Sequence, residues 1–430
     1  MSYAEQLSPE MRKKYENHAI RSALFGCISE QMIDSNALLV LYIILLGGND
    51  SSSMFSTSLS SIASVLLLIP CAGLAARFGL RITYSFACVA GALSVLCMAA
   101  APFAGDFAQN LVIICCFVYA LTRPIYASCW YPLLDNILIS ESRGKFFGKM
   151  RFSYMILNTA LLYIIGKILG ENPPVFLLQC IFAFGGITML GRKFEMDRLP
   201  IAPDAKKDVV NIPAALKICI KNGPLVGFSI YSCLINIAFY AAVPLALVYM
   251  KTYLKMDAES LMTFTSVYLL GTISGYAAIN RTLKKFKTKA CLIGTHLCGL
   301  TVCIILLFCT PQNPVLNLCL YSAFFLNGFA AAFMLCINSI ELLALARPGN
   351  KIMAMAFIST FTSLGTAVGR FGTTIVLGTG ALATTWEFAG STVSKFQFLF
   401  GFYTFVILFF LILLPLAPSV VPEHEDYYHP

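Results

Sequence analysis

NLVIICCFVYALTRPIYASCWYPLLDN (110–136) decides the fold. The run is apolar for long enough to cross a bilayer, about 20 residues at about 1.5 Å per residue. Yet Arg123 and Pro124 stand near its middle. An arginine at that depth costs at least about 2.5–3.5 kcal/mol unless it is paired or wetted, so it marks a functional site by default. The chain then leaves the membrane through SESRGKFFGKMR (140–151), which is strongly basic.

Working outward, the same pattern recurs. The 430 residues are 58% hydrophobic and 12% charged, whereas soluble domains are nearer half apolar and about a quarter charged. The apolar runs predict membrane helices at 20–47, 53–73, 82–102, 109–139, 149–170, 174–191, 224–250, 259–280, 290–310, 314–345, 351–380 and 396–417. The chain therefore reads as an all-α membrane protein of twelve transmembrane helices. Its formal charge of +9 lies in short loops between spans, which does not point to nucleic acid. The opening MSYAEQLSPEMRKKYENHA (1–19) is polar, and the run after it is too long and too polar for a cleaved signal peptide. The 16 cysteines lie almost wholly in apolar spans, with no CxxC pair and no Cys/His cluster. Small buried hydrophobes are expected there, with no disulfide, metal or cofactor.

Loop charge orients the spans. With the N-terminus cytoplasmic, 24 of the 30 Lys and Arg fall inside, and four outside (Lys167, Lys251, Lys255, Lys395). Arg123 and Arg370 fall within spans. That asymmetry places both termini in the cytoplasm of a plasma (inner) membrane. Residues 192–223 are polar and carry Pro200, Pro203 and Pro213, and read as a linker. VVNIPAALKICIKN (209–222) within it suits a short surface helix capped by Asn211. Setting Gly144 over Gly349 superposes most helix starts of the two halves. The domains expected are thus a cytoplasmic segment 1–19, a six-helix bundle 20–191, the linker 192–223, a second bundle 224–417 and a cytoplasmic tail 418–430. A parallel six-plus-six repeat places a solute site between the halves near midplane.

These features together resemble the major facilitator superfamily, from residue 20 to 417. The loop AGLAARFGLR (72–81) is similar to the family's loop between helices 2 and 3: Arg77, Gly79 and Arg81 match. Ala76 stands where the family has Asp, Leu80 replaces a basic residue, and Gly73 is displaced by one. Arg123 resembles the family's membrane arginine of helix 4, and SRGKFFGKMR its basic loop after that helix. The glycine-proline pattern of the family's antiporters is missing from MRFSYMILNTALLYIIGKILG (150–170). The resemblance implies the two-bundle fold, a cavity lined by helices 1, 4, 7 and 10, and a cytoplasmic latch at the 72–81 loop. With Ala76 in place of the Asp, a latch would rest on Asp135 with Arg77 or Arg81, and on Glu341 near Lys284 and Lys285.

Helix 1 supplies carboxylates for Arg123. Glu30 and Asp34 are spaced i, i+4 and share a face. From the inner end, Asp34 lies about 21 Å deep, Glu30 about 15 Å and Arg123 about 24 Å. One arginine cannot compensate two carboxylates, so one acid is expected to take up a proton unless another cation arrives: Arg370, sodium or a cationic solute. Softer solute contacts are Trp130 in helix 4, Asn236 and Tyr240 on one face of helix 7, and Asn327 in helix 10. Pro244 leaves a carbonyl unpaired in helix 7. Arg370 is open between facing the cavity and reaching the outer headgroups. His296 is expected to be structural.

The function expected is secondary transport of a small polar or charged organic solute by alternating access. Proton-coupled symport by a monomer in membrane lipid comes first, with a proton or sodium as coupling ion. Alternatives are facilitated diffusion, antiport including drug efflux, and a non-transporting membrane sensor. An intramembrane enzyme is disfavoured: three of the four histidines lie in the polar termini (His18, His424, His429), and no HExxH motif occurs. The arginine favours an anionic solute and the two acids a cationic one, which leaves the substrate's charge open.

Overall fold

The computed structural model describes residues 3–34, 37–201, 211–286, 288–311, 314–347, 350–388 and 391–416. Apart from one hairpin it is helical. The first part holds α1 (Tyr3–Gln6), α2 (Pro9–Asp34), α3 (Ala37–Leu45), α4 (Asp50–Cys71), α5 (Leu74–Phe78) and α6 (Leu80–Ala100). A 3-10 segment, Ala101–Phe107, leads into α7 (Ala108–Asp135), α8 (Ser140–Leu169) and α9 (Val175–Met196). After the short α10 (Ile212–Ile220) come α11 (Gly223–Phe239), α12 (Ala242–Thr252), α13 (Ala258–Lys285), α14 (Thr288–Phe308), α15 (Leu316–Leu345) and α16 (Lys351–Gly378). Strands β1 (Thr385–Phe388) and β2 (Ser391–Ser394) pair antiparallel, and α17 (Lys395–Leu416) ends the described chain.

Among the described residues, ten stretches are long and apolar enough to span a membrane, or eleven if α2 and α3, which meet at 52°, count as one. One of the ten, Leu80–Leu134, is 55 residues long and contains both α6 and α7. Large apolar side chains face outward along these helices, among them Ile82, Phe86, Phe176 and Phe405. Helices suit lipid because each satisfies its own backbone hydrogen bonds. The starts of several are set by short polar side chains. Asn49 Oδ1 accepts from Ser52 N (2.9 Å) at α4, and Asp257 Oδ1 accepts from Ser260 N (2.6 Å) at α13. Asn211 Oδ1 accepts from Ala214 N (3.1 Å) at α10.

Small residues let backbones touch, the usual route to tight packing between membrane helices. A Cβ at Gly328 of α15 would lie 1.9 Å from the Tyr268 carbonyl oxygen of α13, and one at Gly369 of α16 would lie 1.9 Å from that of Ile237 in α11. Two longer seams join early helices to late ones: α4 packs along α16, and α8 along α13. Polar ties cluster at the end of the molecule that carries the hairpin. Lys395 Nζ meets Asp50 Oδ2 at 2.5 Å, Lys167 pairs with Glu259, and Ser51 Oγ donates to the Thr374 carbonyl at 3.1 Å. Just below, Leu38–Ile43 of α3 and Leu245–Met250 of α12 are almost wholly buried, forming a dry plug.

Several boundaries differ from expectation: α2 starts at Pro9 and the first predicted helix, 20–47, is divided into α2 and α3, while α8 starts at Ser140, nine residues before its predicted start. The seventh predicted helix, 224–250, is broken into α11 and α12 at Tyr240–Ala241. The sixth runs on to Met196, beyond the predicted end at 191. That extra turn is held by side chains on its polar face: Lys193 Nζ to Asp197 Oδ2 (2.6 Å), Arg198 to Glu195 (3.3 Å), and His18 Nδ1 to Glu195 Oε2 (2.6 Å).

Candidate functional site

Asp34 is the last residue of α2 and Arg123 sits mid-α7. Arg123 Nη1 donates to both carboxylate oxygens of Asp34, at 2.6 and 2.8 Å, and Ser60 Oγ of α4 donates to Oδ1 at 3.4 Å. The two charged side chains are 36% and 34% exposed, so the pair borders open space and is not sealed in packing.

Glu30 makes its hydrogen bond with a different arginine. Arg192 Nη1, from the extra turn of α9, donates to Glu30 Oε1 at 2.7 Å, with the Arg192 side chain only 6% exposed. The expectation of two acids competing for one arginine is therefore corrected: each acid has its own. Ending helix 6 at 191 had assigned Arg192 to the cytoplasmic linker. Gly26 makes its inward position possible, since a Cβ there would lie 1.6 Å from the Arg192 guanidinium carbon. A glycine one turn before an acid on the same helix face is the signal that was readable. The guanidinium also lies 4.3 Å above the Tyr126 ring, and Tyr126 stacks with Trp130 at 5.9 Å.

These groups wall a cavity of about 290 Å³, lined by Glu30, Asp34, Arg192, Tyr126, Trp130 and Asn158 and reaching Leu269 of α13. Asn158 of α8 donates from Nδ2 to Gln31 Oε1 (3.2 Å) and accepts from Cys27 Sγ (3.4 Å). Sequence reasoning missed Gln31, Tyr126, Asn158 and Arg192. Amides and a tyrosine inside long apolar runs carry no charge to draw attention.

Arg370 of α16 points into the protein. Its Nε donates to the Tyr240 carbonyl at 3.0 Å, and its Nη1 to the Thr57 carbonyl of α4 at 2.5 Å. The Tyr240 carbonyl is the one that Pro244 cannot serve, because proline has no N–H to give to the residue four back. Asn236 is fully buried, and neither its amide N nor its O has a hydrogen-bond partner among the described residues; the Tyr240 and Ser232 hydroxyls are alike. Asn327, 4% exposed, is packed beside the Gly328 seam. Of the four softer candidates, Trp130 alone lines the cavity. His296 Nδ1–H donates to the Leu292 carbonyl (2.6 Å), which leaves Nε2 to accept from the Tyr231 hydroxyl.

At the other end, Gly79 caps α6 with φ +87°, a conformation that glycine adopts without strain. The Arg77 guanidinium lies over Phe78, 5.3 Å from the ring centre. Arg81 acts electrostatically on Asp197. Burial tends to raise the Asp197 carboxyl, but hydrogen bonds from Lys193 and from the Tyr84 hydroxyl (2.7 Å) outweigh it and hold it below the usual range. The side chain of Asp135 lies outside the described residues. Glu341 is buried, and among the described residues no ion pair reaches it.

A family model described as Major Facilitator Superfamily matches residues 23–370. No curated protein matches the sequence. Among solved structures, the chain is similar to a variant of the nucleoside transporter NupG: 13% identity, 94% of this chain and 99% of that one, TM-score 0.72. It is similar to the xylose transporter XylE from E. coli in a partially occluded inward-open conformation: 13% identity, 97% and 99% covered, TM-score 0.69. An auto-inhibited POT family peptide transporter gives 13% identity, 97% and 99% covered, and TM-score 0.72. At these identities the likeness establishes a multi-span, all-α membrane fold.

Proposed function

The chain belongs to the Major Facilitator Superfamily, and on that premise we propose that it is a secondary transporter. It moves a small polar solute across the membrane by alternating access, as a monomer, with a proton as coupling ion. The 55-residue stretch Leu80–Leu134 is far longer than the roughly 20 residues a span needs. We read it as two spans, which makes twelve, in bundles of six that meet along the seams α4–α16 and α8–α13. Loop charge supports cytoplasmic termini and a plasma-membrane location. On that orientation the hairpin end is outside. Its closed ties, the dry plug beneath it and a cavity displaced toward the opposite end support an inward-facing state.

The observation that carries the reading is the Asp34–Arg123 pair, deep in the helices yet a third exposed. A proton delivered from the cavity to Asp34 releases Arg123. Arg370 also acts electrostatically on Asp34, so the acid has a second arginine, carried by the other bundle, to turn to. An acid whose partner changes with protonation biases the two states, which is what coupling requires. Arg370 meanwhile ties α16 to the Thr57 carbonyl of α4, a contact that outward opening has to break.

Proteoliposomes test this. An inward proton gradient drives solute accumulation by the native protein. Asp34→Asn loses accumulation and keeps solute exchange at equal pH. Unchanged gradient-driven uptake in both Asp34→Asn and Glu30→Gln overturns the coupling. The one-to-one pairing of acids and arginines favours facilitated diffusion as the second reading, because neither carboxylate is then forced to protonate. Downhill flux that never responds to a gradient selects it.

A further inference from the structure

The cavity also speaks to the solute itself. Its charges cancel in place: Glu30 with Arg192 at 2.7 Å, Asp34 with Arg123 at 2.6 Å. A charged solute has to take one partner away from such a pair. That leaves the other charge desolvated and unpaired, which is costlier than the intact pair. What remains for a guest is neutral. Trp130 offers an aromatic face, with Tyr126 stacked on it at an interplanar angle of 25° and the Arg192 guanidinium over Tyr126. Beside it, Asn158 keeps a second N–H and Gln31 its whole NH2 group after the bonds they make among the described residues.

We infer that the solute is an uncharged ring with hydrogen-bonding edges, lying with its flat face on Trp130, which Tyr126 backs, and its edge groups on Asn158 and Gln31. The inference rests on the transporter reading and narrows it. A sugar ring and a nucleoside base share this chemistry, because both join an apolar face to polar edges.

Trp130 is a built-in reporter. There are two tryptophans in the chain, and Trp386 lies away in β1 against Phe398. In purified full-length protein carrying Trp386→Phe, Trp130 fluorescence is titrated with glucose and uridine. Glucuronate, glucosamine and uridine monophosphate serve as charged counterparts. Saturable quenching by glucose or uridine is expected, the responder separating sugar from nucleoside, with charged counterparts at least about tenfold weaker. Asn158→Ala and Tyr126→Ala lose the response, whereas Tyr126→Phe, which keeps the ring, retains it. A charged member binding more tightly than its neutral counterpart overturns the inference, and so does a panel in which both neutral members are inert. Uptake of the same panel into proteoliposomes separates the two readings. A neutral solute that binds but never crosses leaves this inference standing and removes transport. Flux of charged members alone does the reverse.

Discussion

The two sides of the central space handle their arginines differently. On the side of α2, α7 and α9, charge meets charge: Arg123 with Asp34 and Arg192 with Glu30. On the side of α11 and α16, the hydrogen bonds of Arg370 among the described residues go to backbone carbonyls, those of Tyr240 and Thr57. Around it the polar groups are neutral, and some, such as Asn236, lack partners among the described residues. The difference teaches where a proton can act. A carboxylate can be neutralised and its arginine released; a carbonyl dipole does not titrate. On the proposed cycle, coupling belongs to the first side, and the second works as a clamp whose hold is set by geometry.

Three measurements break or sharpen that contrast. The largest effect is expected at Arg192. Removing one partner of a buried pair leaves the other charge uncompensated and costs about 3–5 kcal/mol. Arg192→Ala should lower unfolding stability in detergent by that order, and Arg192→Leu combined with Glu30→Leu should recover most of the loss. A double variant as unstable as the single would show that Arg192 works through packing on Tyr126. At Arg370 the loss should be smaller, about 1–3 kcal/mol, because alanine there strands the Tyr240 carbonyl but leaves no charge behind. An equal loss at the two arginines would erase the distinction. The smallest effect is expected at Asp197, outside the cavity. Its carboxyl is held below the usual range in the folded protein, so folded molecules bind fewer protons there than unfolded ones. Its stabilisation is complete above the unfolded carboxyl's pKa and is lost as pH falls through the lower folded value. Asp197→Asn should remove that acid-side slope, within about 1 kcal/mol because the pair with Lys193 is partly exposed. An unaltered slope would show that the acid loss arises elsewhere.

The sequence was most informative where one residue carries a large energy. A charge inside an apolar run is conspicuous, so Arg123 and Asp34 were found and their depths matched. It was least informative where the cost depends on a neighbour. Arg192 follows an apolar helix as GRK, the usual face of a cytoplasmic loop; only Gly26 on another helix gives its side chain room to turn inward. Asn236 and Tyr240 share a face with a proline-freed carbonyl, as expected. Nothing local says that the carbonyl is taken by Arg370 or that Asn236 is turned into packing.

Apolar run lengths and the distribution of Lys and Arg determined, without coordinates, that this is a multi-span helical membrane protein with charged groups at depth. Hydrocarbon demands that each span satisfy its own backbone, and that demand is written residue by residue along the chain. Which arginine contacts which acid and where the cavity lies were decided by tertiary structure alone. Those outcomes depend on distances of a few ångströms between helices far apart in sequence, set by where glycines let backbones touch.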